Sequence, residues 1–182
     1  MRRGEILAVG WQDINLDAGL VFVRRSLQET KAGVSFKQPK SRRGRRPLTL
    51  PSLAVEMLRT HEEKQAQMKH ALGADYQDNG LVCGRDDGSI WPPSAFTSAY
   101  RDLLRRRKIE NVRFHDLRHS HASQLLRDGV PIKVVSERLE HAKAGFSLDV
   151  YGHVLPGQQE EAARKSDVAL RAALEKQRRP LA

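Results

Sequence analysis

An α+β fold, mostly α-helical with a small three-stranded antiparallel sheet, is predicted by two features of this sequence. Short β-branched and aromatic runs, separated by turn residues, occupy the stretch before Pro51. After Pro51 the apolar residues recur at helical spacing, with charged residues between them. With 182 residues the chain fits one domain, 1–182, long enough to bury a real core.

Residues 2–9 (RRGEILAV) have helical composition, with Ile6 and Leu7 apolar, and Gly10 weakens the helix locally. LVFVRRSL at 20–27 reads as a strand after the DAG turn at 17–19. VSFKQ at 34–38 and RPLTL at 46–50 are the other two strands, and the PKSRRG between them makes a densely basic hairpin. SLAVEMLRTHEEKQAQMKHAL then places Leu53, Met57 and Leu58 at helical spacing before becoming polar. Residues 72–80 are loop, and LVCG at 81–84 is a short strand followed by the DDG turn. The next helix spans 94–107, with Ser94 as its N-cap after Pro92 and Pro93. Residues 115–129 form a helix closed by Gly129, and Pro131 starts another over 131–139. Residues 158–176 are a charged, alanine-rich terminal helix.

Charged residues make up 30% of the chain and the net charge is +10, which suits a polyanionic partner such as nucleic acid. The cations cluster: six of the ten residues from Lys37 to Arg46 are Lys or Arg, and Arg105 to Lys108 are four in a row. Cys83 is the only cysteine, so no internal disulfide and no cysteine-based zinc site can form. No apolar run reaches the length of a membrane span and no secretory segment opens the chain, so the expectation is a soluble, cytoplasmic protein with no membrane partner.

Six residues are the parts needed to cut a phosphodiester without a metal: Arg2, Lys40, His115, Arg118, His141 and Tyr151. His115 and Arg118 lie three apart on a predicted helix and share a face. There a guanidinium can grip two phosphate oxygens while the imidazole exchanges a proton. Arg2 is the second guanidinium, and two matter because phosphoryl transfer builds charge on the non-bridging oxygens. Glu5, one helical turn on, orients Arg2 or caps the helix. Lys40, at the tip of the basic hairpin, can reach a groove and protonate a leaving oxygen. Tyr151 is the candidate nucleophile; a free phenol is mostly protonated at neutral pH, and surrounding cations favour the phenolate. Lys37, Arg42, Arg43, Arg45 and Arg46 are read as neutralising DNA phosphates. His119 and His121 are read as structural.

In this order and with these flanks the residues resemble the tyrosine recombinase (phage integrase) family. RRGEILAVGWQDINLDAG resembles its first-arginine segment and QPKSRRGRRPLTLP its lysine hairpin. HDLRHSHASQLL resembles its H-x-x-R box and LEHAKAGFSLDVYGHVLPG its His-to-Tyr box. The resemblance covers residues 2–165 and implies the catalytic-domain fold of that family, in part. The family's first catalytic helices and a separate DNA-clamping domain would lie upstream, so the chain reads as a C-terminal portion. By this resemblance Arg2 and Arg118 clamp the scissile phosphate with support from His141. His115 acts as acid or base, Lys40 assists the leaving 5′ oxygen, and Tyr151 attacks. The implied product is a 3′-phosphotyrosyl link with a free 5′ hydroxyl, formed without metal, ATP or other cofactor. Double-stranded DNA is the implied partner, with self-association into a tetramer on it.

Other classes stay open. Residues 115–139, two helices and a short turn, could imitate a helix-turn-helix in a non-catalytic DNA-binding protein. A regulatory remnant that blocks full-length subunits is a third reading, and a topoisomerase of the same chemistry a fourth.

Overall fold

The computed structural model describes residues 1–38, 46–110, 112–139, 164 and 166–168. The described residues of Met1–His121 and Arg138–Glu140 form one compact unit, and those of Ala122–Glu137 and His141–Ala182 a second. The antiparallel sheet and helices expected from the sequence are present, with changes in which segments pair.

The opening helix, α1 (Arg3–Ile6), is a single turn. It packs on strand β3 (Ser26–Thr30). Glycine is required at position 4, because a Cβ there would come within 2.5 Å of the Leu27 carbonyl oxygen and the Ser26 hydroxyl. Gly10 lies beyond the helix, not inside it: it bridges to Leu81, and its N–H is accepted by Asp13 at 3.1 Å as a 3₁₀ turn begins at Trp11.

The run 20–27, expected as one strand, is two. Strand β2 (Leu20–Val23) pairs with β1 (Ile14–Asn15) on one side and β5 (Arg46–Thr49) on the other, forming the three-stranded antiparallel sheet. The chain then leaves that sheet at Arg24 and Arg25, and β3 pairs with β4 (Gly33–Lys37) in a separate two-stranded ladder. Two anchors explain the break. Arg24 pairs with the buried Asp13 at 3.2 Å, and Arg25 donates from Nε to the Ala8 carbonyl at 3.0 Å. The basic stretch therefore joins strands of two different sheets.

Alternation sets the core of the larger sheet. Val21 and Val23 of β2 and Leu48 of β5 point inward onto Val9 and Val82. Leu7, Ala8 and Leu27 form a second cluster, flanked by Trp91 and Phe96. Cys83 packs beside both clusters, and burial pushes its thiol up, which makes it an unreactive core thiol.

Helix α2 (Ser52–Leu72) buries no residue fully. Leu53 and Met57, which carry the helical spacing in the sequence, are both 65% exposed. Leu58, the third residue of that spacing, packs against the core cluster of the larger sheet, and polar side chains add to the hold on α2. Gln65 donates to the Leu81 carbonyl at 3.1 Å and accepts from Trp11 Nε1 at 2.6 Å, and His61 Nε2 lies 2.7 Å from the Val82 carbonyl.

Helix α3 (Pro93–Arg106) begins one residue earlier than expected, at a proline suited to the first turn. Ser94 is not its N-cap. The Glu29 carboxylate of β3 receives the Ser94 N–H and hydroxyl, both at 2.8 Å, and so supplies the acceptor from outside the helix. Helix α4 (Phe114–Arg127) ends at Gly129, as read from the sequence. Gly129 has φ +78, its N–H reaches the Leu126 carbonyl, and the Val130 N–H reaches that of Leu125. This double closure needs the left-handed conformation glycine supplies. Helix α5 (Ile132–Leu139) follows Pro131, and the predicted terminal helix over 158–176 lies mostly outside the described residues. Among the described residues no helix is long and apolar enough to cross a membrane.

Burial separates two leucines that look alike in the sequence. Leu7→Ala, at a site 1% exposed, should destabilise the protein by about 2–5 kcal/mol in urea unfolding. Leu53→Ala should change it by less than about 0.5 kcal/mol. A comparable loss at both positions would mean that the face of α2 carrying Leu53 is covered.

Candidate active site

The site begins with a carboxylate. Glu5, on α1, is 5% exposed. Its Oε2 accepts the backbone N–H of Arg2 at 2.8 Å, and its Oε1 accepts Arg2 Nη1 at 3.0 Å. Arg46, the first residue of β5, donates from Nη2 to the same Oε2 at 3.2 Å. Burial pushes the Glu5 carboxyl up, but the Arg2 N–H and the Arg46 and Arg2 guanidiniums outweigh it, so the net direction is down and Glu5 stays ionised. Both readings of Glu5 from the sequence therefore hold at once: it caps the first turn and it fixes Arg2.

The second half comes from α4 and the end of α5. Asp116 accepts the Arg113 N–H at 2.8 Å and the Arg113 guanidinium at 3.0–3.2 Å, which secures the first turn of α4. That turn presents His115 outward, while Arg118, one turn on, is 8% exposed. Arg118 Nη2 donates to the Leu139 carbonyl. Arg46 Nε donates to the neighbouring Arg138 carbonyl at 3.4 Å, and the Arg138 guanidinium returns to the Thr49 carbonyl of β5 at 2.9 Å. The last carbonyls of α5, which lack helical partners, are thus taken by arginines.

Arg2 and His115 line one cleft of about 500 Å³, together with Arg3, Tyr100, Arg101 and Arg113. Arg118 is close enough to act on His115 electrostatically. The His115 pKa is lowered, by burial first, then by His119 and Arg118. His115 is therefore neutral near pH 7, with a lone pair available to take a proton. His119 packs edge-on against the His115 ring at 4.9 Å and orients it, while His121 is exposed. The Met1 amino group reports the same field. Burial, then Arg118, with Arg46 and Arg138, lowers its pKa from 8.0 to about 6, against the opposing pull of Glu5.

Of the residues the sequence nominates, the structure brings Arg2, His115 and Arg118 into one unit. Lys37 is exposed at the end of β4. Lys40, Arg42, Arg43, Arg45, His141 and Tyr151 lie outside the described residues. Arg46, grouped in the sequence with the phosphate-facing cations, has a side chain only 10% exposed and joined to Glu5. Sequence reasoning missed this pairing, the anchoring of α5 by Arg138, and the cleft residues Arg3, Arg101 and Arg113. An arginine followed three residues later by an acid, as in Arg2–Glu5 and Arg113–Asp116, was the available signal for the first-turn anchors. Among the described residues no three of His, Cys, Asp and Glu gather to hold a metal ion.

The cleft is thus lined by guanidiniums, with an uncharged imidazole at its wall. The chain belongs to the phage integrase family, which matches residues 1–157. It is 29% identical over 174 residues to the tyrosine recombinase XerC-like protein of Caldanaerobacter subterraneus, covering 89% of this chain and 44% of that protein. It is 27% identical over 170 residues to the ICEBs1 integrase of Bacillus subtilis, covering 92% and 45% respectively. The chain thus spans about half the length of these curated relatives. Its fold is that of the Tn1549 transposon integrase solved with circular intermediate DNA, with a TM-score of 0.75 at 13% identity over 91% of this chain and 55% of that one. The XerA recombinase gives a TM-score of 0.63 at 22% identity over 99% and 54%.

Glu5→Gln removes the charge that Arg2 and Arg46 share. It should cost about 3–5 kcal/mol at neutral pH, since a guanidinium is left beside a neutral amide in a buried place. Because the folded-state pKa of Glu5 is depressed, its stabilisation is present above the ordinary carboxylate range and is lost as pH falls through the folded value. The unfolding free energy of Glu5→Gln should therefore converge on wild type as the pH is lowered. A constant gap down to the acid limit would show that the carboxylate charge is not what matters.

Proposed function

We propose that this chain carries the active site of a site-specific DNA recombinase, which breaks and rejoins DNA strands through a 3′-phosphotyrosyl intermediate. The observation that carries the reading is the convergence of Arg2 and His115 on one cationic cleft, with Arg118 beside them, in a member of this family. Arg2 and Arg118 hold the non-bridging oxygens of the scissile phosphate, with His141 in support. The Tyr151 oxygen attacks phosphorus, and its proton passes to neutral His115. The bond from phosphorus to the 5′ oxygen breaks, and Lys40 gives that oxygen a proton. A 5′ hydroxyl from another strand then attacks the phosphotyrosine and frees Tyr151, so the bond energy is conserved.

Lys37, Arg42, Arg43 and Arg45 contact backbone phosphates of duplex DNA and set the salt dependence of binding. Solved relatives of the same fold are described as integrases in complex with DNA, which supports a duplex partner. Self-association into a tetramer on DNA completes the exchange of strands, and the setting is cytoplasmic.

Incubation with nicked duplex DNA should yield a protein–DNA adduct that survives denaturant. Tyr151→Phe should bind the same DNA and form no adduct. Equal binding by both proteins with no adduct from either would favour a non-catalytic DNA-binding or regulatory remnant. Separately, Arg42→Ala, Arg43→Ala and Arg45→Ala should each weaken binding to any sequence and reduce the slope of log K against log salt by about 1. A loss confined to one DNA site would contradict the phosphate assignment.

A further inference from the structure

We propose that Arg46 is a positioning residue that holds both phosphate-gripping arginines in place, and not a contact to the DNA backbone. The inference rests on the recombinase reading above and assigns within it a residue that the sequence alone places on the DNA-facing hairpin.

Burial is the first argument. The Arg46 side chain is 10% exposed, against 46% for Arg2. It opens β5 directly opposite Val23, which is 1% exposed, so its backbone is pinned at the edge of the core. A cation whose part is only to neutralise backbone phosphates along the duplex belongs on a solvated surface, where it can exchange counterions for DNA.

The second argument is what the guanidinium does there. Nη2 donates to Glu5 Oε2 at 3.2 Å, and Nε donates to the Arg138 carbonyl at 3.4 Å. Each contact leads to one of the two phosphate arginines. Glu5 turns its other oxygen to Arg2 Nη1 at 3.0 Å, so fixing the carboxylate fixes Arg2. Arg138 precedes Leu139, whose carbonyl accepts Arg118 Nη2, so holding the end of α5 holds the acceptor of Arg118. The planar fork of one arginine serves both directions at once. A lysine, with the same charge on a single nitrogen, cannot reproduce two donors at a fixed angle.

This predicts a separation of binding from chemistry. Arg46→Lys keeps the charge, so affinity for nicked duplex DNA and its salt slope should stay at wild-type values. Adduct formation at saturating DNA should slow by about ten- to a hundredfold, because a small misplacement of the arginines is costly at the reacting phosphate. Arg43→Gln, at a residue read as a backbone-phosphate contact, should instead flatten the slope by about 1. A wild-type adduct rate for Arg46→Lys would overturn the proposal. So would a flattening by Arg46→Gln equal to that of Arg43→Gln. One measurement needs no DNA. The Glu5 carboxyl carbon, followed by NMR, should titrate at higher pH in Arg46→Gln than in wild type, and an unmoved titration overturns the assignment. Absence of an adduct from the wild-type protein would instead remove the recombinase reading, with the Glu5 titration and the salt slope still deciding where Arg46 acts.

Discussion

The buried carboxylate of Glu5 is the interaction on which the described part of the site depends. An ionised carboxylate out of water costs several kcal/mol unless paired and hydrogen-bonded. Glu5 meets that cost with a backbone N–H and two guanidiniums. Those partners come from α1 and β5, and through Arg46 the network continues to the end of α5. The partners of the carboxylate are complete only when α1 and β5 meet. Gly4 contributes from the other side by letting α1 sit against the backbone of β3. Fold and site are therefore specified by the same few contacts.

The same local device recurs where α4 begins. Asp116 accepts both the N–H and the guanidinium of Arg113, three residues before it, as Glu5 does for Arg2. Asp13 closes on Gly10 in the same way, and its guanidinium comes from Arg24, farther along the chain. A first-turn carboxylate satisfies an orphan donor and complements the positive end of the helix. Here it also sets the start of the two segments that carry Arg2, His115 and Arg118. Exposure differs between the two: Glu5 is buried and Asp116 half-buried, with Arg113 itself exposed. The Glu5 network is for that reason the one with the larger share of the stability, since exposed ion pairs contribute little.

Much of the fold was legible because it follows from local rules. Gly129 and Pro131 bracketed the turn between α4 and α5, and the β-branched and aromatic composition of 20–23 marked a strand. The errors came where distant partners decide. Nothing local in LVFVRRSL says that the strand changes sheets at Arg24 and Arg25; the Asp13 carboxylate and the Ala8 carbonyl do. Ser94 looked like a cap, yet Glu29, 65 residues away, supplies the acceptor. Leu53 and Met57 had core spacing and are exposed, because α2 meets the core through Leu58, His61 and Gln65. Arg2, His115 and Arg118, nominated from residue type and order, fall in one unit of the structure. The placement of Arg46 was not legible, because six cations among ten residues look alike until a fold buries one of them.

The arrangement also accounts for how a cationic cluster can serve a reaction that moves charge. Arg2 and Arg46 share the Glu5 carboxylate. At the Met1 amino group, whose pKa is lowered first by burial, the guanidiniums of Arg118, Arg46 and Arg138 add to that lowering against the pull of Glu5, an excess of cations over carboxylate. Such an excess destabilises the empty site by self-repulsion and favours any polyanion that enters it. Attraction alone would bind the ground state as well as the transition state and gain nothing in rate. The gain comes from donors that need not move when charge grows on the non-bridging oxygens. Arg118 is held by a helix-terminal carbonyl and Arg2 by a buried carboxylate, so the fold itself sets their orientation. The internal ion pair and the external cation excess are then two halves of one device: the first fixes direction, the second supplies the field.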